Sequence, residues 1–402
     1  MDGTTHTNPA GATRNLWLAT LAFLICFISW GVVSPIARGI QKDLDLSDTQ
    51  TAVLLAVPVL CGSLLRLPAG VLADKYGGRR MFTVIMLLSA IPAVFLGYAK
   101  SFGSIAILGF LMGGAGAAFA VGVPFVARWW QGPRIGMAVG IYGLGTAGTA
   151  LAALAVPRIS QNWGRAYVGW MMALLLVGGA VVTFLFARDA PGERAHTKYT
   201  DVLKSGWRLY RLSLLYFVSF GGFVAMTVFL PKLLSDWFDL SAIDAGQRAA
   251  GFAILAVAGR PIGGWMADRI GAGTTLVIAF AGVAIDAAVL AAIARGPSMT
   301  EVTAACLTMG VFLGLGNGAV FKIVPHEFPN STGAATGIVS AVGGLGGFFP
   351  PLFMGFAKDQ FGSYAVGFLG LMVLAAVCLA VTLQIQRDEF RTLFTKPDGS
   401  NG

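Results

Sequence analysis

R-L-P-A-G-V-L-A-D-K-Y-G, Arg66 to Gly77, comes back later in the chain as R-P-I-G-G-W-M-A-D-R-I-G, Arg260 to Gly271. Arg66 and Arg260, Gly70 and Gly264, Ala73 and Ala267, Asp74 and Asp268, and Gly77 and Gly271 all keep the same 194-residue offset. Each copy runs off the end of a long apolar stretch, the second in one half of the chain and the eighth in the other. Agreement at five matched places is not a chance event, so the two halves read as structural repeats. Paired repeats of this kind are the architecture of alternating-access carriers.

The composition around the repeat is that of a membrane chain. Hydrophobic residues make 56% of the 402, mean hydropathy is +0.74, and charged residues reach only 12%. That is about half the charged share of a soluble protein. Glycine, 54 residues, is roughly twice as frequent as usual, which suits helices that approach backbone to backbone in lipid. A soluble enzyme, a disordered scaffold and a disulfide-stapled module are excluded. Apolar stretches of about 20 residues, the length that crosses a bilayer, lie near 15–39, 50–72, 82–98, 103–128, 136–156 and 167–187. Six more lie near 209–235, 247–266, 273–294, 300–324, 333–357 and 363–385. The expected fold is an all-α membrane protein: twelve transmembrane helices in two pseudo-symmetric six-helix bundles, residues 15–187 and 209–385. A polar linker, 188–208, joins them, and short tails, 1–14 and 386–402, flank them.

The chain carries 28 basic and 19 acidic residues. Sixteen of the basic ones fall on the side shared by the termini, including Arg79, Arg80, Arg134, Arg194, Lys198 and Lys396. Nine fall opposite, so the termini and the linker are expected in the cytoplasm, with the chain multi-pass in the cytoplasmic membrane. The bias also accounts for the basic charge without a nucleic-acid partner. Cys26, Cys61, Cys306 and Cys378 sit far apart in apolar stretches as packing residues. No metal spacing, catalytic triad or phosphate loop occurs, so no cofactor, no metal and no enzymatic activity are expected.

The three remaining basic residues, Arg66, Arg260 and Lys322, fall inside spans. A guanidinium cannot shed its proton, so burying one costs several kcal/mol unless something compensates it. Asp74 and Asp268 are eight residues away, roughly 12 Å along a helix, too far to neutralise both. Two symmetry-related arginines without carboxylate partners point to a bound anion; pairing with backbone carbonyls or helix ends is the alternative. The planar fork of arginine matches a planar oxyanion. Nitrate, nitrite, formate and bicarbonate fit.

G-V-L-A-D-K-Y-G-G-R-R, Gly70 to Arg80, resembles the loop signature between helices two and three of the major facilitator superfamily. Asp74 there can face the positive end of a neighbouring helix. G-I-Y-G-L-G-T-A-G-T-A-L (Gly140 to Leu151), G-L-G-N-G-A-V-F-K-I-V-P (Gly314 to Pro325) and G-I-V-S-A-V-G-G-L-G-G-F-F (Gly337 to Phe349) are similar to the fifth, tenth and eleventh helices of its nitrate/nitrite porter family. The resemblance implies a secondary transporter moving nitrate and/or nitrite by alternating access, with nitrate/nitrite exchange as the natural cycle for a site that needs an anion to close. It implies a substrate site of Arg66, Arg260, Tyr216, Phe119, Phe220, Thr146 and Asn317, the rings flanking a flat ion. It implies packing and gating by Gly143, Gly145, Gly148, Gly343, Gly344, Gly346 and Gly347, with Asp74, Asp268, Gly70 and Gly264 at the rim. A monomer in the lipid bilayer would suffice. Proton-coupled uptake, another small anion such as formate, oxalate or cyanate, and a non-transporting anion sensor are the alternatives. Asp286, the one acid deep in a span, reads as a hydrogen-bonded structural residue; His326 and Glu327 read as gate or loop residues.

One residue departs from the family pattern. Thr146 stands where the fifth-helix signature has asparagine, keeping a hydroxyl but losing the second donor of an amide. Thr146→Asn should therefore shift the ratio of nitrate to nitrite uptake by proteoliposomes; an unchanged ratio would remove Thr146 from the pocket.

Overall fold

The computed structural model describes residues 9–130, 135–191, 202–328 and 331–394. Arg134, Arg194, Lys198 and Lys396, and the tail and linker residues 1–8, 192–201 and 395–402, lie outside them. Twelve segments among the described residues are helical, long and apolar enough to cross a membrane, and no strand is found among those residues. They are α1 (Ala12–Leu44), α2 (Thr49–Tyr76), α3 (Gly78–Leu96), α4 (Phe102–Trp129), α5 (Ile135–Trp163) and α6 (Arg165–Phe186). After the linker come α7 (Trp207–Phe238), α8 (Ile243–Ile270), α9 (Ala272–Ile293), α10 (Met299–Glu327), α11 (Thr332–Lys358) and α12 (Ala365–Arg387).

The helices are longer than the apolar stretches that reveal them. α1 runs on to Leu44 through Arg38 and Lys42, and α7 runs on to Phe238. Hydropathy marks only the part of a helix in hydrocarbon, while its polar ends continue into the headgroup layer. For this reason Arg66 lies ten residues before the end of α2, about 15 Å inside, deeper than the apolar stretch suggests.

The repeat also reaches further than the quoted motifs. Asp45 and Asp239 end α1 and α7 in the left-handed region, at φ 49° and 48°. Ser47 then caps α2 by accepting from Gln50 N (3.1 Å), and Ser241 caps α8 by accepting from Asp244 N (3.1 Å). At the other ends of α2 and α8, Gly77 and Gly271 adopt φ 90°, ψ 150° and φ 88°, ψ 148°. A side chain with a Cβ rarely adopts that backbone, so the glycines fix a sharp reversal into α3 and α9. D-L-S at 45–47 and 239–241 carries the same offset as the arginine motif. The repeat is one of caps and turns as well as of buried charge.

Packing sorts the helices into layers. α7 and α4 are the most buried, whereas α3, α6, α9 and α12 bury half or less of their most apolar windows. These four display Leu88, Ile91, Leu174, Ile285 and Val373, each more than half exposed, on the surface that lipid covers. Within the C-terminal half α8 and α10 meet backbone to backbone. A Cβ on Gly314 would strike the Ala256 carbonyl and come within 2.9 Å of Gly259 Cα. One on Gly318 would strike the Arg260 carbonyl and come within 2.6 Å of Gly264 N. Across the halves α2 packs on α11 and α5 on α8.

Four of the central helices are irregular: α1 breaks at residues 31–33 before the 3₁₀ turn Ser34–Ile36, and three others break at mid-depth. α4 tightens into a 3₁₀ turn at Gly114–Ala117 and α5 at Leu144–Ala147, and α11 is interrupted between Leu345 and Phe349. The glycine stretches of α5 and α11 thus run through breaks in the regular helix. A cavity of about 610 Å³, lined by apolar residues of α7, α11 and α12, lies against the interruption in α11.

The α8–α10 contact gives a direct test of the packing. Gly318→Val should lower stability by about 1–3 kcal/mol, seen as a reduced melting temperature in detergent. Gly178→Val in α6, where a Cβ meets no atom within 4 Å, should leave the melting temperature unchanged.

Candidate functional site

Arg66 reaches inward from α2 and Arg260 from α8; they are 2% and 3% exposed. They converge on one ring. Arg66 Cζ lies 4.7 Å and Arg260 Cζ 5.4 Å from the centre of Phe220. Phe119 backs Arg66 at 5.7 Å and Phe223 backs Arg260 at 5.3 Å. Cation–π contact offsets part of the burial cost, about 0.5–2 kcal/mol per pair. No carboxylate among the described residues pairs with either arginine.

The acids nearby are otherwise engaged. Asp74 accepts from Arg128 Nη2 (3.2 Å), and Asp268 takes the Lys322 ammonium at 2.9 Å. Each also abuts the first turn of a helix from the opposite half. A Cβ on Gly333, at the start of α11, would strike the Asp74 carboxylate; one on Gly136, at the start of α5, would lie 3.1 Å from Asp268 Oδ1. A carboxylate at a helix N-terminus is favoured by the unsatisfied N–H groups there. Gly264 is part of the same contact, 3.1 Å from the Gly136 carbonyl by its would-be Cβ.

The two guanidiniums differ in their partners. Arg66 donates from Nε to Gly116 O (3.2 Å) in the 3₁₀ turn of α4, and from Nη1 to Ser340 O (2.6 Å) of α11. Arg66 thus takes the alternative that its sequence leaves open: it pairs with backbone carbonyls, one of them across the interface. Arg260 Nε and Nη2 have no partner.

Glycine makes room for both. A Cβ on Gly143 of α5 would stand 3.1 Å from Arg260 Cδ, and one on Gly344 of α11 would stand 3.0 Å from Arg66 Nη1 and strike Ser63 Oγ. Each arginine thus lies on a glycine of the opposite half. Gly343 makes room for the Tyr216 ring. Gly145 and Gly148 pack against α1, and Gly346 and Gly347 against α7, inside their own halves.

Tyr216, Phe220 and Phe119 form a layered aromatic wall. Tyr216 and Phe220 are parallel within 4° at 4.9 Å, and Phe119 faces both at 6.0 Å. In this conformation Phe119 packs on Phe220, so a flat ion between the rings requires the halves to part. Thr146 is buried and donates to Gly143 O (2.8 Å). Asn317, 3% exposed, has no partner for either amide atom among the described residues, and the Tyr216 hydroxyl stands beside the Arg260 guanidinium.

Sequence reasoning missed four groups. Phe223 follows Phe220 and Tyr216 on one face of α7, a spacing that could have exposed it. Tyr142, donating to Ala118 O (2.8 Å), and Phe321, edge-on to Tyr216 at 4.6 Å, lie within the quoted helix signatures. The Ser340 carbonyl carries no sequence signal. Away from the centre, Asp286 accepts from Thr308 Oγ1 (3.0 Å), and Glu327 forms an ion pair with Arg211 between α10 and α7.

The centre is closed toward both faces. On the face of the termini the Asp74 and Asp268 contacts join the halves. On the other, Ser34 Oγ donates to Val228 O (3.2 Å) and Arg38 Nη1 to Leu240 O (3.0 Å). These contacts themselves border a polar cavity of about 190 Å³, lined by Ser34, Arg38, Gln41, Lys232 and Asp236 among others.

Comparison with known proteins gives the family. The Major Facilitator Superfamily model matches residues 19–351. A Mycobacterium tuberculosis protein named probable nitrate/nitrite transporter NarK2 is 39% identical over 381 residues, 92% of this chain and 96% of that one. The chain belongs to the nitrate/nitrite porter family of that superfamily. Two other relatives of this porter are the Bacillus subtilis nitrite extrusion protein, 36% identical over 92% of this chain and 93% of that one, and the Staphylococcus epidermidis probable nitrate transporter NarT, 35% identical over 95% and 98%. Among solved structures, the human organic anion transporter MFSD10 (TETRAN) superposes with a TM-score of 0.77 at 15% identity, covering 94% of the porter and 100% of that chain. A bacterial homologue of the human lysosomal transporter Spinster, inward-facing and occupied, gives 0.67 at 19%, covering 93% and 97%. Both share the fold. The porter is a multi-pass membrane transporter rather than an enzyme.

The glycine beds predict an order of severity. Gly344→Ala should lower transport at least roughly tenfold, since its methyl group meets both Ser63 and Arg66. Gly143→Ala, needing only a small shift of Arg260, should lower it less. The check is initial uptake at matched protein levels; equal rates in both variants would separate the glycines from the arginines.

Proposed function

We infer that the porter moves nitrate and nitrite across the cytoplasmic membrane by alternating access, and that it does so chiefly by exchange. The observation that carries this reading is the pair of buried, permanently charged forks, one from each half, sharing Phe220 with no carboxylate between them. Two like charges in a low-dielectric centre repel. A monovalent oxyanion lying against both relieves the repulsion, and its edges match the donors of the guanidinium fork. Binding and closure are then one event, because each half holds only part of the ligand shell.

The proposed contacts are Arg66 and Arg260 for charge, Tyr216 as hydroxyl donor, and Phe119 and Phe220 as walls. Ring edges carry partial positive charge and suit a flat anion. Opening to the face of the termini separates α2 from α11 and α5 from α8, breaking the Asp74 and Asp268 contacts; opening to the other face separates α1 from α7, breaking the Ser34 and Arg38 ones. The excess of basic residues on the face of the termini supports a cytoplasmic position for it. Oppositely directed movement of a second anion returns the loaded carrier without leaving the two charges bare, which supports exchange over net uptake. One chain contains both forks, so a monomer is sufficient.

Arg66→Lys and Arg260→Lys keep a point charge and lose the fork. Each should lower nitrate–nitrite exchange in proteoliposomes by roughly ten- to a hundredfold, with unchanged elution in size exclusion. Normal exchange in both variants would dismiss the two-fork site. Nitrate uptake into liposomes without internal anion, collapsing with the proton gradient, would dismiss exchange.

A further inference from the structure

The 194-residue offset that pairs the central arginines pairs a second set of residues, nearer the face opposite the termini. Arg38 and Lys232, Gln41 and Ser235, and Ser34 and Val228 stand at that offset, and all six line the polar cavity of about 190 Å³. Ten of its thirteen lining residues fall into such pairs, so the cavity lies where the two repeats meet. The pairing extends to bonds. Gln41 Nε2 donates to Leu46 O (3.3 Å) and Ser235 Oγ to Leu240 O (3.1 Å), carbonyls again at the same offset. The closed mouth thus repeats the plan of the centre, with one cation from each half.

The two cations are not equivalent. Lys232 Nζ is 2.7 Å from Asp236 Oδ2, which also accepts from the Tyr364 hydroxyl. All three groups belong to the C-terminal half and stay together as the halves move. The residue that matches Asp236 in the other half is Lys42, so no acid serves Arg38 in the same way. Arg38 crosses to the other half instead: among the described residues its one hydrogen bond runs from Nη1 to Leu240 O (3.0 Å). Asp239 stands 3.8 Å from Nη2 with its side chain 99% exposed, and water and salt screen such a pair. Separation of α1 from α7 therefore breaks the Arg38 bond. It leaves a guanidinium fork facing a polar space, beside a second cation whose own acid is already engaged.

We propose that this cavity is an outer station for the cargo, in which the Arg38 fork takes a small monovalent oxyanion as the halves part. The inference rests on the two-arginine reading above and adds a stop between bulk water and the centre. The donors of Arg38 match the edge of such an ion. Arg38, Lys232 and Asp236 together leave the cavity one net positive charge, and a cleft with such a field concentrates the opposite ion and speeds its arrival. On closure the Leu240 carbonyl reclaims Nη1, so the ion loses a donor as the mouth shuts. Gate bond and capture site are then one side chain in two states.

The test is nitrate exchange in proteoliposomes of uniform orientation, measured from each face at low and high ionic strength with saturating nitrate on the far side. Arg38→Gln keeps a donor for Leu240 O and loses the charge. It should raise KM on the face opposite the termini roughly tenfold at low salt, the lower end of what a focused field adds to an arrival rate. On the same scale kcat, and KM on the face of the termini, should change less than about twofold. The fall of the parental kcat/KM with rising salt should flatten. Ser34→Ala, which removes the neighbouring gate bond and no charge, should keep the parental salt dependence. Arg38→Lys keeps the charge without the fork; it should lie between, and it holds the test open if Arg38→Gln does not fold. An outer KM and salt dependence within about twofold of the parent in every folded Arg38 variant would overturn the outer station. So would an equal change on both faces with unaltered salt dependence, the mark of a gate bond alone. Arg260→Lys separates the two readings. If it cripples exchange while the Arg38 variants behave as the parent, only the outer station fails; if it too exchanges normally, the central site fails.

Discussion

Two guanidiniums buried against one phenylalanine, with no carboxylate between them, are the constraint on which this molecule is built. The arrangement would be self-destructive in a protein meant to hold one shape, because like charges in a poor dielectric push apart. In a protein meant to change shape it is useful. Each half contributes one charge, so the repulsion acts along the direction in which the halves separate. The stacked rings, the backbone carbonyls of Gly116 and Ser340, and the glycine beds of α5 and α11 hold that tension without removing it.

The rim contacts complete the logic. Asp74 and Asp268 are kept from the arginines by about 12 Å of helix and held instead by Arg128 and Lys322. Were either acid one or two turns nearer, it would neutralise the charge meant for cargo. Placed where they are, the acids join each half to the first turn of a helix from the other. Charge that binds and charge that gates are thus kept on the same two helices, α2 and α8, but at different depths.

Much of this was legible in the sequence because membrane burial makes some residues conspicuous. An arginine inside an apolar stretch is expensive enough to be informative by itself, and a second at a fixed offset names the symmetry. Glycine-rich runs, aspartate at a helix end and the count of spans were readable for similar reasons. The partners of Arg66 were not, since carbonyl oxygens look alike in every residue and only a 3₁₀ turn or an interface brings one into reach. Thr146 was expected to face the ion, yet its hydroxyl donates to its own helix, a local bond that sequence cannot distinguish from a free donor. Phe223 and the D-L-S caps at Asp45 and Asp239 were overlooked although their spacing was in plain view. Hydropathy had drawn attention to the apolar interior and away from the ends.

The crosswise seating of the arginines reaches beyond either bundle. Because Arg66 rests on Gly344 and Arg260 on Gly143, neither bundle owns a complete half-site. Any bulk gained on the fifth helix is felt by a charge encoded some hundred residues downstream, and the eleventh helix answers to one encoded far upstream. A residue enlarged in one bundle thus has its first effect on the charge of the other, and the two must be altered together to leave the centre unchanged.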